Sequence, residues 1–389
     1  MPLTCEGCGA EILEIDVRCA RCGAPLASSA AHRMIGSVVL GQYEIVDILG
    51  QGGMSVVYKG RHRMTGQDVA LKILPPELAA HSQVKSRFLE EARALAQLDH
   101  ANIVHLYNFG EENGCFVLAM QFVAGRTFER MIIEHDRLDW TIAAHVGIQV
   151  LRALEYAHGR GIVHRDMKPS NILVRDEDAV ATVMDFGIAK MTTSTKLTAT
   201  GQTMGTVRYM SPEQVRGQEV DPRTDVYSLG ATLYEAVVGE SPFDGETHFE
   251  IMTKQLAEPP KPPSLHGIPV SPLFEAALLR AMAKKAEDRF QTAGELRRAL
   301  EQALAAASVG SADTLRMSRE LLEKTRPRET EPAPEVNVPG LTAAARLIAA
   351  DGKLTALAGK LESSDTTDLV RLDASRRRPA LWIGLALVV

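Results

Sequence analysis

His164-Arg165-Asp166-Met167-Lys168-Pro169-Ser170-Asn171, followed fourteen residues later by Asp185-Phe186-Gly187, is the stretch on which the reading of this chain turns. Moving a γ-phosphoryl group requires negative charge on its oxygens to be neutralised and an acceptor hydroxyl to be held in line. Carboxylate and amide oxygens suit Mg²⁺, a hard cation that keeps several waters and takes few protein ligands. Asn171 and Asp185 offer such oxygens, leaving Asp166 for the hydroxyl and Lys168 for the transferring phosphate.

Upstream, Gly50-Gln51-Gly52-Gly53-Met54-Ser55-Val56-Val57-Tyr58 lies between two predicted strands, Tyr43–Leu49 and Val56–Arg61. Glycines let backbone N–H groups approach a phosphate closely. Flanking strands argue against a dinucleotide fingerprint, which opens a helix, and no Gly-Lys-Ser/Thr is present for a Walker loop. Ser55 fills the third glycine position, and taken alone the segment reads equally well as a Gly-rich hairpin turn. Lys72, in Val69-Ala70-Leu71-Lys72 on the predicted strand Asp68–Leu74, is costly to bury unless paired. The preferred partner is Glu91 rather than Glu90, because Phe88, Ala92 and Leu95 mark the buried face of a predicted helix over Ser86–Leu98. A random charged loop would not bring the glycine loop, the strand lysine and Asp-Phe-Gly in this order.

Together these motifs resemble the eukaryotic-like (Hanks-type) protein kinases over about Tyr43 to Leu300. The resemblance implies an α+β, bilobal protein kinase fold: a β-rich N-lobe hinged to an α-helical C-lobe, with ATP between them. Residue by residue it makes Asp166 the catalytic base, Lys168 the phosphate-contacting lysine, Lys72 and Glu91 the strand–helix ion pair, and Asn171 and Asp185 the ligands of Mg²⁺ or Mn²⁺. It assigns ATP binding to Leu49, Gly50, Gln51, Gly52, Gly53, Met54, Ser55, Val57, Ala70, Lys72, Met120, Gln121 and Val123, with Met120 as gatekeeper and Gln121 to Val123 as hinge. Lysine two places after Asp166 is the serine/threonine form. Ser211-Pro212-Glu213 matches the APE motif, Glu213 is expected to pair with Arg289, and Asp225 to brace the catalytic loop.

The same resemblance carries regulation. Arg165 precedes the catalytic Asp, an arrangement usually controlled by phosphate on the activation loop; phosphorylation adds about −1.5 to −2 charge. Leu197-Thr198-Ala199-Thr200-Gly201 resembles bacterial kinases in which two threonines at this spacing autophosphorylate, so Thr198 and Thr200 are the expected sites. Thr206 is expected to contact Asp166 and Lys168 instead. Autophosphorylation brings in a second copy of the chain as a partner, beside ATP and protein substrates. Pseudokinase scaffolds usually lose the strand lysine, the catalytic Asp or the DFG Asp, and Lys72, Asp166 and Asp185 all stand here. His135-Asp136-Arg137 has the right residue types in scrambled order, without the spaced lysine and asparagine, and reads as surface.

Four of the five cysteines form two C-x₂-C pairs, Cys5/Cys8 and Cys19/Cys22, each ending in Cys-Gly. Four thiolates at this spacing match a small zinc ribbon closed by structural Zn²⁺, with no open position for catalysis. Redox dithiols and an iron–sulfur site are the other chemistries open to such pairs. Cys115 reads as a core thiol.

The chain of 389 residues, 45% hydrophobic and 24% charged, has the composition of a soluble globular protein, and its net charge of −6 gives no global reason to expect nucleic-acid binding. The expected organisation is a zinc-ribbon-like knuckle at 1–25, a kinase domain at 43–302 (N-lobe about 43–122, C-lobe about 123–302), a largely flexible juxtamembrane linker at 303–379, and an apolar tail at 380–389. Arg326 to Pro339 is rich in Pro and Glu, a composition that buries little. Arg376, Arg377 and Arg378 precede the ten-residue apolar run, which is half of the ~20 residues a membrane helix needs. It is read either as the start of a membrane span, tethering a cytoplasmic kinase domain to the inner face of the membrane, or as a hydrophobic tail.

Overall fold

The computed structural model describes residues 3–4, 11–12, 30–52, 55–186 and 207–308. Cys5, Cys8, Cys19, Cys22, Gly53, Met54, Thr198, Thr200, Thr206 and everything after 308 lie outside the described residues. Near the N-terminus, Leu3–Thr4 pairs antiparallel with Glu11–Ile12, a ladder that brackets sequence positions 5 and 8.

Five long strands form the first half: β1 (Tyr43–Gln51), β2 (Val56–His62), β3 (Asp68–Leu74), β4 (Leu106–Glu112) and β5 (Cys115–Gln121). With the short strand Val38–Val39 they make a six-stranded antiparallel sheet in the order Val38–Val39, β1, β2, β3, β5, β4. The alternation read in the sequence is that of sheet faces. Register places Val57 opposite Lys72 and Ala70 opposite Met120, so these four side chains share one face. The β1–β2 turn is closed by Gly52 N–H donating to the Ser55 carbonyl at 2.8 Å. Strand β4 had no counterpart in the hydrophobic pattern, because its residues alternate only between half-buried and exposed. Its marker is the turn: Asn113 and Gly114 both have positive φ, 52° and 79°, the geometry of a two-residue hairpin.

Helix α1 (Ser82–Leu95) begins four residues before the predicted start and buries Phe88, Ala92, Ala94 and Leu95. A strap over residues 30–40 lies against the sheet: Ala31 and Val39 are buried in its apolar cluster, and Leu40 N–H donates to the Glu112 carboxylate at 2.5 Å.

The second half is helical around α2 (Phe128–His135), α3 (Trp140–His158), α4 (Pro222–Val238), α5 (His248–Ala257), α6 (Pro272–Ala281) and α7 (Ala293–Ser308). Side-chain oxygens start these helices where the first N–H groups have no partner: Thr127 for α2, Asp139 for α3, Asp221 for α4 and Thr247 for α5. Helix α4 is buried on every side, from Thr224 to Val237 with few gaps, and is the axis of this half. Three short strands, β6 (Gly125–Thr127), β7 (Ile172–Arg175) and β8 (Ala181–Val183), pair antiparallel in the order β8, β7, β6 and frame the loop that carries Asp166. Among the described residues no helix is long and apolar enough to cross a membrane.

Candidate active site

Lys72 reaches out of β3 to two carboxylates. Its Nζ lies 2.7 Å from Glu91 Oε1 on α1 and 2.8 Å from Asp185 Oδ1. Glu90 instead accepts from Ser86 on the helix exterior, at 3.0 Å. Burial pushes the ammonium down, and the charges of Asp185 and then Glu91 outweigh it, so Lys72 stays protonated. Burial lifts the Glu91 carboxyl to about 7 against the pull of Lys72, with Asp185 adding to the rise. Two carboxylates thus share one cation, and the pocket is short of positive charge.

The loop after α3 brings the other groups together. Asp166, Lys168 and Asn171 are all buried, with Lys168 Nζ 3.3 Å from Asp166 Oδ2. Asn171 Nδ2 donates to the Asp166 carbonyl at 2.7 Å and to its Oδ2 at 3.2 Å. His164, which the motif contains but for which spacing suggests no role, sews this loop to the strand end before Asp185. Its Nε2–H donates to the Met184 carbonyl at 3.0 Å, and its Nδ1 accepts from Asp166 N–H at 3.2 Å. Burial holds the imidazole below its ordinary value, which keeps it in the neutral form this pattern needs. Met184 N–H donates in turn to the Asn171 carbonyl at 3.0 Å.

Arg165 and Asp185 both have left-handed backbones, φ 68° and 56°, a conformation that costs a non-glycine residue about 1–2 kcal/mol. Asp225, fully buried on α4, holds the first of them. It accepts from the backbone N–H groups of His164 and Arg165, each at 2.8 Å, and from His158 Nε2 at 2.7 Å. Burial raises this carboxyl, but the hydrogen bonds from the His158 side chain and the His164 backbone N–H bring it below its ordinary value. Gln214 adds a second tie by donating to the Arg165 carbonyl at 2.8 Å, while its backbone is fixed in a capping box with Ser211. Neither His158 nor Gln214 had been singled out; a side chain's reach across the fold leaves no mark in local spacing.

Two buried oxygens near this loop have no hydrogen-bond partner: Asn171 Oδ1 and Asp185 Oδ2. Among the described residues no group of three or more His, Cys, Asp or Glu side chains is arranged around a metal position. An amide–carboxylate pair with free oxygens nonetheless fits a cation that keeps most of its waters. Thr182 Oγ1 also lacks a partner, and nothing in the structure explains it. On the sheet side, Val57, Met120 and Val123 are buried, Ala70 and Leu49 half-buried, and Leu49 occupies the bulge between Ile48 and Gly50. Gln121 N–H donates to the His105 carbonyl at 2.8 Å, which anchors the segment where the two halves join.

Glu213 and Arg289 form a two-bonded ion pair at 2.7 and 2.8 Å, with the guanidinium fully buried and also donating to the Ala283 carbonyl at 2.8 Å. Burial raises the Glu213 carboxyl, but Arg289, with help from the Thr224 hydroxyl, takes it to about 2.

Residues 43–297 match the family described as protein kinase domain. A probable serine/threonine-protein kinase of Clostridium perfringens is 40% identical over 263 residues, 68% of this chain and 38% of that protein. Serine/threonine-protein kinase PknB of Mycolicibacterium smegmatis is 41% identical over 266 residues, 66% of this chain and 42% of that protein. The match therefore spans about two fifths of the length of these relatives. The crystal structure of the Mycobacterium tuberculosis PknI kinase domain superposes with a TM-score of 0.55 at 29% identity, covering 69% of this chain and 98% of that one.

Glu213→Gln tests the buried pair. Because the folded carboxyl ionises near 2 against an ordinary 4.5, its contribution is complete above 4.5 and disappears as pH falls toward 2. The variant is expected to lose about 3 kcal/mol at pH 7. Thermal unfolding of the two proteins should converge as pH is lowered through that window, and a constant gap would contradict the assignment.

Proposed function

The chain belongs to the protein kinase family, and from that premise we propose that it is an active serine/threonine kinase, transferring the ATP γ-phosphoryl group to protein hydroxyls through a catalytic domain at 43–302. The observation that carries this reading is the pairing of a buried, charge-deficient pocket at Lys72, Glu91 and Asp185 with two unpartnered oxygens on Asn171 and Asp185. Asn171 and Asp185 would hold Mg²⁺ or Mn²⁺, which when bound neutralises charge on the phosphate oxygens. Lys72, fixed by Glu91, meets the non-transferred phosphates, and the face carrying Val57, Ala70 and Met120, with Val123 and the hinge, receives adenine. Asp166 accepts the proton of the acceptor hydroxyl as the hydroxyl oxygen bonds to the γ-phosphorus and the bond from that phosphorus to the β-phosphate oxygen breaks, releasing ADP. Lys168, 3.3 Å from Asp166, lends positive charge to the transferring group without leaving that carboxylate's side. Asp225 and Gln214 fix the backbone of the loop, so the base is oriented before the substrate arrives.

Regulation and the N-terminal segment complete the proposal. Thr198 and Thr200 are phosphorylated by a second copy of the chain, and Arg165 is the cation that reads the phosphate. Cys5, Cys8, Cys19 and Cys22 bind one structural Zn²⁺; their spacing and the ladder between Leu3–Thr4 and Glu11–Ile12 support this.

Incubation with labelled ATP, Mg²⁺ and a basic protein should label the protein substrate, and Asp166→Asn should lower the rate at least ~100-fold, the weight of a general base. No incorporation by the wild type would refute the reading. Mass spectrometry after ATP treatment should find phosphate on Thr198 and Thr200, and both unmodified would remove that assignment. Metal analysis of purified chain should return about one zinc for the four thiolates; less than half of that would exclude the site.

A further inference from the structure

Strands β3 and β5 are buried along most of their length on both faces, so each side of the sheet must be covered. One face, with Val57, Ala70, Lys72 and Met120, belongs to the site described above. The other alternates with it residue by residue: Val56, Tyr58, Leu71, Ile73, Val117 and Ala119 form one apolar cluster. The strap over residues 30–40 joins that cluster, with Ala31 and Val39 buried in it and Met34 and Leu40 packed against it. The strap lies outside the stretch that matches the protein kinase family, which starts at residue 43.

Hydrogen bonds fasten the strap along its length. The Tyr58 hydroxyl, buried on β2, donates to the Ala31 carbonyl at 3.2 Å and lies 3.7 Å from the Met34 sulfur. Gly36 N–H donates to the Ile45 carbonyl at 2.8 Å and Ile45 N–H to the Ser37 carbonyl at 2.9 Å, which ties the strap to β1. Leu40 then reaches the far edge of the sheet, where its N–H meets Glu112 on β4. Its side chain lies so close to Gly110 that a Cβ there would stand 2.6 Å from Leu40 Cδ2. The strap therefore joins the first and last strands of the sheet and closes it behind the nucleotide face.

Tyr58 is the chain neighbour of Val57, and Val57 pairs with Lys72. Leu71 and Ile73, on either side of Lys72, both sit in the cluster that the strap covers. Successive side chains of a strand share one backbone, so a shift imposed on one face is carried to the other. We infer that residues 30–40 are a positioning segment for the nucleotide, with Tyr58 coupling them to the strand pair that carries Val57 and Lys72. The inference rests on the kinase reading above and deepens it: the fit of ATP is set from behind the sheet, by a segment that supplies no group to phosphate or adenine. Residues 26–29 separate the strap from the knuckle expected at 1–25, so a partner drawn to that knuckle would act on ATP affinity through it.

The test is binding of a non-hydrolysable ATP analogue with Mg²⁺ to the full chain, read by calorimetry where circular dichroism shows each variant folded. Tyr58→Phe removes one hydroxyl and keeps the ring in the cluster. Amide exchange over 30–40 should quicken about fivefold, the weight of one hydrogen bond of ordinary net strength. Kd for the analogue should rise about three- to fivefold, while KM for a basic protein substrate stays within about twofold. Ala31→Asp, which sets a carboxylate against the apolar cluster, should raise Kd further. A purely structural role would lower the melting temperature and leave Kd within about twofold of wild type; that result overturns the proposal, and so does exchange over 30–40 unchanged by Tyr58→Phe. Should Ala31→Asp fail to fold, Tyr58→Phe decides alone. A wild type that binds no analogue removes the kinase reading and this inference together, whereas binding without a shift in Tyr58→Phe removes this inference only.

Discussion

One ammonium group between two carboxylates sets the terms for this structure. Lys72 lies on a sheet strand, Glu91 on a helix and Asp185 at the end of a short strand system in the other half of the molecule. Burying a cation is expensive unless it is paired, and removing one partner of a buried pair leaves a charge that the interior cannot solvate. The positions of α1 and of the Asp185 loop are therefore not independent of the sheet; they are where Lys72 can be satisfied. The pairing is also incomplete. Burial, with the Asp185 carboxylate adding to it, holds the Glu91 carboxyl above its ordinary value despite Lys72, a demand that further positive charge would relieve.

The opposite condition holds in the helical half. Asp225 and Arg289 are buried and Glu213 is half-buried, and the two carboxyls are bonded by several donors and held on the ionised side. These saturated ions form a frame, and the frame carries the strain of the catalytic loop. A left-handed Arg165 would relax in isolation, but its N–H is bound by Asp225 and its carbonyl by Gln214. Because Asp225 sits on a helix buried on all sides, the loop is in effect suspended from the most rigid element of the fold.

How much of this was legible depends on whether the cause was local. HRDMKPSN and Asp-Phe-Gly named the loop, and the period-two runs named β1, β2, β3 and β5, because each signal lies within a few residues. Glu91 could be chosen over Glu90 from the buried face of one helix. Strand β4 was missed since its hydrophobic contrast is weak, although Asn113-Gly114 was there to mark the hairpin. His158 and Gln214 were invisible for another reason: each is an ordinary polar residue whose partner lies 67 and 49 positions away. No composition or spacing rule distinguishes such a residue from one that faces water.

The contrast between saturated and unsaturated polar groups also separates scaffold from function. A folded chain gains nothing by burying an oxygen without a donor, and the cost is about 1–3 kcal/mol for each such group. Where Asp225 is buried and Glu213 half-buried, donors converge on them, which is what stability alone demands. Asn171 Oδ1 and Asp185 Oδ2 break that rule, the first on a side chain bonded to Asp166 and the second on the carboxylate bonded to Lys72. Folding does not account for leaving them bare, since a hydroxyl or amide donor nearby would have stabilised both. The cation proposed for this site would account for them, because it requires acceptors with no competing hydrogen.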